Sequence, residues 1–181
     1  DLALPVRIIR DFVGTELDHI QVDSRRTYAE LQQFVQEFMP EIANKIEHYA
    51  GPAPIFELYD VENEVQRALG RKVELKSGGY LIIDQTEAMT TVDINTGAFV
   101  GHRNLEETIF NTNLEATQAI ARQLRLRNLG GIIIIDFIDM LSKEHQARVL
   151  ESLNAALALD RVKTSVSGFS GLGLVEMTRK R

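Results

Sequence analysis

The stretch Ala88-Met89-Thr90-Thr91-Val92-Asp93-Ile94-Asn95 alternates along its length, and Ile132-Ile133-Ile134-Ile135-Asp136 runs β-branched residues into an acid. Side chains of a strand point alternately to opposite faces. One face of the first stretch reads Ala88, Thr90, Val92, Ile94 and suits a core. The other reads Met89, Thr91, Asp93, Asn95 and is polar. Asp93 and Asn95 therefore point the same way. The four isoleucines read as a strand buried on both faces, with Asp136 at its end. In open α/β sheets, ligands gather beyond the carboxyl ends of strands. If the two strands are neighbours, Asp93 and Asp136 meet at one sheet edge and share a cation.

The surrounding pattern supports a sheet. Residues 73–75 and 80–83 flank Lys76-Ser77-Gly78-Gly79, a hairpin signal. Asp84-Gln85-Thr86-Glu87 reads as a second turn. A long helix is predicted over 105–127, with Glu106 and Glu107 in the first turn, where the dipole favours acids. Its buried stripe is Phe110, Leu114, Thr117, Ala121 and Leu124. Gly130-Gly131 stops it, so the isoleucine strand completes a β-α-β crossover, right-handed by the general rule. Ser142 caps a helix to about Leu159, buried through Val149, Leu150, Leu153 and Leu157. Residues 162–166 and 172–178 make a last strand pair. The order β-β-β-α-β-α-β-β predicts an α/β (α+β) fold with helices packed on a mixed sheet.

Upstream, 6–12 and 16–22 read as short strands broken near Gly14. Asp23-Ser24 offers capping oxygens, and Tyr28, Leu31, Phe34, Val35 and Phe38 recur at helical spacing as a packing face up to Pro40. Residues 46–49 read as a strand and Gly51-Pro52-Ala53-Pro54 as a connector. Asp60 precedes a helix over 61–69 with Val61, Val65, Ala68 and Leu69 as its apolar face, and Gly70 ends it. The subdomain boundary is expected there, dividing 1–69 from 70–181. His19 and His48 are isolated and read as ordinary surface or core residues.

The 181 residues are 44% hydrophobic, enough for one good-sized domain or two small ones. There is no Cys, so disulfides and thiolate zinc sites are excluded, and a reducing compartment fits. No stretch approaches the roughly 20 apolar residues of a membrane span. The chain opens Asp1-Leu2-Ala3-Leu4-Pro5, without Met or signal segment, and reads as part of a longer polypeptide. A net charge of −6 is unlike the basic surface of a self-sufficient nucleic-acid binder.

Paired carboxylates either share a proton or hold a cation. Magnesium accepts one or two of them, keeps several waters and takes phosphate oxygens. The Asn95 amide can hold Asp93 in one orientation. The plainer alternative is that Asp93 and Asp136 are strand-end or turn residues. Asp139, Asp84 and Glu87 compete as acids but fall in predicted turns. The loop Thr96-Gly97-Ala98-Phe99-Val100-Gly101-His102-Arg103 has phosphate-cradle composition without the Gly-Lys-Ser/Thr ending of a P-loop. His102 and Arg103 are candidates to meet substrate phosphates. Asn111 and Asn113 either line the same site or are helix-surface amides.

Three long runs give the chain a family likeness. They are 78–88 with Val92-Asp93-Ile94-Asn95-Thr96-Gly97, then 106–116, and then 121–131 with Ile134-Ile135-Asp136-Phe137-Ile138-Asp139-Met140. They resemble the ribonuclease E/G family, and the likeness extends over the whole chain. It favours one branch over the other around Gly79-Tyr80 and Thr96-Gly97-Ala98-Phe99. The resemblance implies a cytoplasmic endoribonuclease that cuts single-stranded, A/U-rich RNA and prefers a 5′-monophosphate. Its products would carry 5′-phosphate and 3′-hydroxyl ends, and its tasks would be rRNA 5′ maturation and mRNA decay. It implies Mg2+ held by Asp93 and Asp136, with Asn95 orienting Asp93. It also implies a deoxyribonuclease I-like catalytic subdomain over 70–181, preceded by part of a structural ribonuclease H-like subdomain. Homo-oligomers joined through a Cys-bearing zinc link, and an RNA-binding barrel, belong to the family outside this stretch. The alternatives are a non-catalytic RNA-binding or assembly module, using Arg103, Arg122 and Arg125, and a phosphatase or nucleotide hydrolase, which the absent P-loop disfavours.

Overall fold

The computed structural model describes residues 2–13, 17–97 and 105–181. The chain divides into two compact units, Asp1–Glu62 and Asn63–Arg181.

The first unit contains α1 (Leu4–Phe12), β1 (Ile20–Val22), α2 (Arg25–Phe38), a 3-10 turn (Pro40–Lys45), β2 (Ile46–His48) and α3 (Ile55–Leu58). The first segment is a helix and not the strand expected over 6–12. Val6 and Ile9 are buried at helical spacing and cluster with Leu31, Val35, Ile42 and Ile46, while the alternate positions Ile8 and Phe12 are exposed. Pro5 falls in the first turn, where its missing N–H is harmless. Ser24 caps α2 by accepting from the Thr27 amide at 3.2 Å. Leu31 and Val35 form the buried face of α2, but Phe38 at its end is 62% exposed. β1 and β2 pair in parallel, Ile20 opposite Ile46 and Val22 opposite His48.

The next helix, α4 (Val61–Leu69), begins at the division between the units. It forms where expected, but none of its residues is buried, so its apolar face is not a core face. Beyond it come β3 (Lys72–Glu74), β4 (Tyr80–Gln85), β5 (Met89–Asn95), α5 (Leu105–Leu126), β6 (Gly131–Asp136), α6 (Lys143–Leu157), β7 (Thr164–Phe169) and β8 (Val175–Arg179). This is the expected order of elements. The six strands form one mixed sheet in the order β3-β4-β5-β6-β8-β7, with only β5 and β6 parallel.

Register aligns one continuous apolar face. Leu81 lies opposite Ile94 and Ile83 opposite Val92. Thr90 and Val92 meet Ile133 and Ile135, which in turn meet Met177 and Val175. These residues are buried and join Phe110, Ala116, Ile120 and Leu124 of α5 and Val149, Leu153 and Leu157 of α6 in one core. The opposite face is not covered in the same way. Ile132, read as fully buried, is 49% exposed, and Met89, Asp93 and Asp136 on that face are exposed too. A parallel neighbour alone does not make a strand two-sided. Among the described residues of this unit, α5 and α6 pack on one face of the sheet.

A buried ion pair closes the far end of the core. Arg179 and Asp160 are almost fully buried, with Nε–Oδ2 at 2.7 Å. Arg179 Nη1 also donates to Leu129 O at 2.9 Å and to Asn128 Oδ1 at 3.3 Å. These bonds tie β8 to the turn that ends α5, where Asn128 takes a left-handed φ of 49°.

Candidate metal centre

Asp93 and Asp136 are register partners on the neighbouring parallel strands β5 and β6. Partners in register on adjacent strands share a face, and such strands lie about 4.8 Å apart. The two carboxylates thus stand side by side on the exposed face, at the carboxyl ends of the only parallel pair among the described strands of the sheet. Asn95, two residues on, shares that face, and its Nδ2 donates to Asp93 Oδ2 at 2.9 Å. That bond engages one oxygen of Asp93 and leaves Oδ1 for another partner.

A cleft of about 300 Å3 opens at this point, lined by Asp93, Asn95, Thr96, Asp136 and Asp139 among others. The Asp136 carboxyl is held above its ordinary range by partial burial, then by Asp93 and then by Asp139. Like charges disfavour ionisation, and a cation between them would reverse the effect. Among the described residues no three acidic or histidine side chains converge into a metal cage. Two carboxylates on an open face suit a hard ion that keeps most of its waters. Magnesium meets that description better than calcium, which takes 6–8 oxygen ligands.

The supporting residues come from farther along the chain. Asn113 is fully buried on α5, not a surface amide, and binds both backbone groups of Ile138, in the loop that carries Asp139. Glu115 accepts from the Lys76 and Ser77 amides at 2.5 and 3.0 Å and fixes the β3–β4 turn. That turn approaches Gly97 so closely that a Cβ there would lie 1.9 Å from Gly78 O. Both contacts anchor the segments beside the cleft.

Of the remaining candidates, Asn111 is exposed on α5, and His102 and Arg103 lie outside the described residues. Asp84 belongs to strand β4, not to a turn, and is ion-paired to Arg71. Asp139, expected to be a mere turn residue, lines the cleft and acts on Asp136. Its spacing, three residues after a strand-ending acid, was the available signal. The buried role of Asn113 had no comparable signal, because its partner is a backbone 25 residues away.

The whole chain, residues 1–181, matches the profile of the Ribonuclease E/G family. It is 75% identical over its full length to a protein named Ribonuclease G from Escherichia coli K12, and 67% identical over 99% of its length to Ribonuclease G of Haemophilus influenzae. Against Ribonuclease E of Escherichia coli K12 it is 42% identical over 97% of its length. The identities favour the branch suggested by Gly79-Tyr80 and Thr96-Gly97. The chain spans 37% of the Escherichia coli Ribonuclease G, 36% of the Haemophilus one and 17% of the Ribonuclease E.

Proposed function

The chain belongs to the ribonuclease E/G family, and we propose that it forms the catalytic portion of a Mg2+-dependent endoribonuclease acting on single-stranded, A/U-rich RNA. The observation that carries this reading is the pairing of Asp93 with Asp136 at the ends of β5 and β6, with Asn95 bonded to Asp93. Asp93 and Asp136 are the residues that would hold the cation. When bound, magnesium neutralises charge on the scissile phosphate and makes water a stronger acid. Asn95 keeps Asp93 oriented. Asn113, through Ile138, fixes the loop on which Asp139 stands. Asp139 is placed to accept a proton or hydrogen bond at the rim of the cleft.

Cleavage of the P–O3′ bond leaves a 5′-phosphate and a 3′-hydroxyl. A preference for 5′-monophosphorylated substrates, work in rRNA 5′ maturation and mRNA decay, homo-oligomerisation and a cytoplasmic setting complete the proposal. In this reading residues 70–181 are a deoxyribonuclease I-like catalytic subdomain and 1–69 part of a ribonuclease H-like one. No helix among the described residues is long and apolar enough to cross a membrane.

A short 5′-monophosphorylated A/U-rich RNA, incubated with the chain, tests the proposal. Cleavage that requires Mg2+ and is lost in Asp93→Asn supports it. Cleavage that persists in the chelator or in that variant contradicts it. A second reading follows from the 37% coverage and the net charge of −6: a non-catalytic RNA-binding or assembly portion. It predicts salt-sensitive, metal-independent RNA binding without turnover.

A further inference from the structure

A second cavity adjoins the cleft, and neither Asp93 nor Asp136 lines it. It measures about 230 Å3 and shares Phe137, Ile138 and Asp139 with the cleft. Lys143 of α6, Phe169 at the end of β7 and Ser170 in the β7–β8 connection also line it. We propose that this cavity binds one nucleotide of the RNA strand next to the scissile phosphate, with its base against Phe169 and its phosphate on Lys143. The proposal rests on the endoribonuclease reading and adds to it a site for the flanking nucleotide.

Three features carry the argument. Lys143 Nζ donates to Gln146 Oε1 at 3.3 Å and forms no ion pair among the described residues. Gln146 is itself anchored, its Nε2 donating to Met140 O at 2.9 Å. Lys143 thus stands at the cavity with an amide and not a carboxylate as its bonded partner, in an acidic chain. Phe169 is half-buried, with its ring centroid 6.1 Å from that of buried Phe137 at an interplanar angle of 56°. An aromatic side chain braced in this way offers a face to any base, since every base has a π-face. The polar lining suits the rest of a nucleotide. Ser170 Oγ accepts from the Leu172 and Leu174 amides, each at 3.3 Å, which leaves its O–H to donate. Asp139, shared by cavity and cleft, can accept from a ribose 2′-hydroxyl, the group that separates RNA from DNA.

The size matches a single unit. The cavity is smaller than the roughly 300–1,000 Å3 of pockets for drug-sized ligands, and so fits one base and not a longer segment. Continuity through Phe137, Ile138 and Asp139 sets that unit beside the metal centre.

The test titrates a short 5′-monophosphorylated single-stranded RNA into this chain, in chelator, over a series of salt concentrations. Each phosphate neutralised on a single strand contributes about −0.7 to the slope of log K against log salt. Lys143→Gln is expected to reduce the slope by about 0.7 and weaken binding several-fold. Lys163→Gln, an exposed lysine away from the cavity, serves as the control and leaves the slope unchanged. Phe169→Leu keeps an apolar side chain against Phe137. It is expected to weaken binding about tenfold and to make abasic substitution at one RNA position silent. Mn2+ binding at the Asp93–Asp136 pair stays unaltered in both variants. An unchanged slope in Lys143→Gln, with abasic losses undiminished in Phe169→Leu, overturns the nucleotide site while leaving the metal centre standing. Failure of the unsubstituted chain to bind RNA at all overturns the site, while the endoribonuclease reading stands or falls on its own cleavage test.

Discussion

Asn113 binds both backbone groups of Ile138: its Nδ2 donates to Ile138 O at 2.8 Å, and its Oδ1 accepts the Ile138 amide at 3.1 Å. One buried side chain of α5 thereby sets the path of the chain two residues beyond Asp136. Asn113→Ala removes both bonds and is expected to destabilise the fold by about 2 kcal/mol, at roughly 1 kcal/mol per bond. Asn111→Ala, on the exposed side of the same helix, is expected to change stability by less than about 0.5 kcal/mol. Urea denaturation of the two variants checks the contrast.

Asp136, the proposed cation ligand, carries an electrostatic cost in the cation-free fold. Its carboxyl is held above the ordinary range by partial burial, Asp93 and Asp139. A raised carboxyl pKa makes ionisation unfavourable in the folded state, so stability falls as pH rises from the unfolded value through the folded one. Without divalent cation at pH 7, Asp136→Asn is therefore expected to be more stable than the unsubstituted chain. That advantage disappears in acid, where Asp136 is neutral. Magnesium at a hundredfold excess over Kd should stabilise the unsubstituted chain by about 2.7 kcal/mol and the variant by much less. Thermal melts in chelator and in Mg2+ decide it.

The Arg179–Asp160 pair behaves in the opposite way. Burial by itself would raise the Asp160 carboxyl, but the Arg179 hydrogen bond, the Val162 amide and nearby positive charge outweigh it and hold the carboxyl below its ordinary range. A depressed carboxyl pKa adds stability above the unfolded value, about 4, and that stability is lost as pH falls through the folded value. Breaking a buried pair leaves an uncompensated charge and costs about 3–5 kcal/mol. Asp160→Asn should show a loss of that order at pH 7, shrinking toward acid, in denaturation curves taken at several pH values.

Gly97 is required by its contact with the β3–β4 turn. A Cβ there would lie 1.9 Å from Gly78 O, and one at Gly79 would lie 2.8 Å from Asn95 O. Neither neighbour is a flexible side chain tip that can step aside. Gly97→Ala is expected to cost about 1–3 kcal/mol and to weaken cation binding, because the displaced segment carries Asn95. Comparing its stability and Mg2+ affinity with those of the unsubstituted chain tests both halves.

Much of the site follows from strand periodicity. Alternation through residues 88–95 set Asp93 and Asn95 on one face, and the β-branched run before Asp136 marked its neighbour. The β-α-β connection makes the two strands natural neighbours, but their alignment in register is a tertiary fact. The exposure of Ile132 was not legible, because a run of isoleucines does not say how many helical layers cover it. The first segment is ambiguous in sequence, because the apolar residues Val6, Ile8, Ile9 and Phe12 of so short a run fit neither period cleanly. The partnership of Asn113 with Ile138 was hidden for another reason: a side chain that bonds to backbone leaves no complementary residue to find.

The most direct measurement is the paramagnetic broadening of backbone NMR signals by Mn2+, used as a stand-in for magnesium. The account predicts broadening centred on residues 93–96 and 136–139, lost in Asp136→Asn while the rest of the spectrum is unchanged. Broadening centred elsewhere, or undiminished in that variant, would contradict the claim that Asp93 and Asp136 together hold the cation.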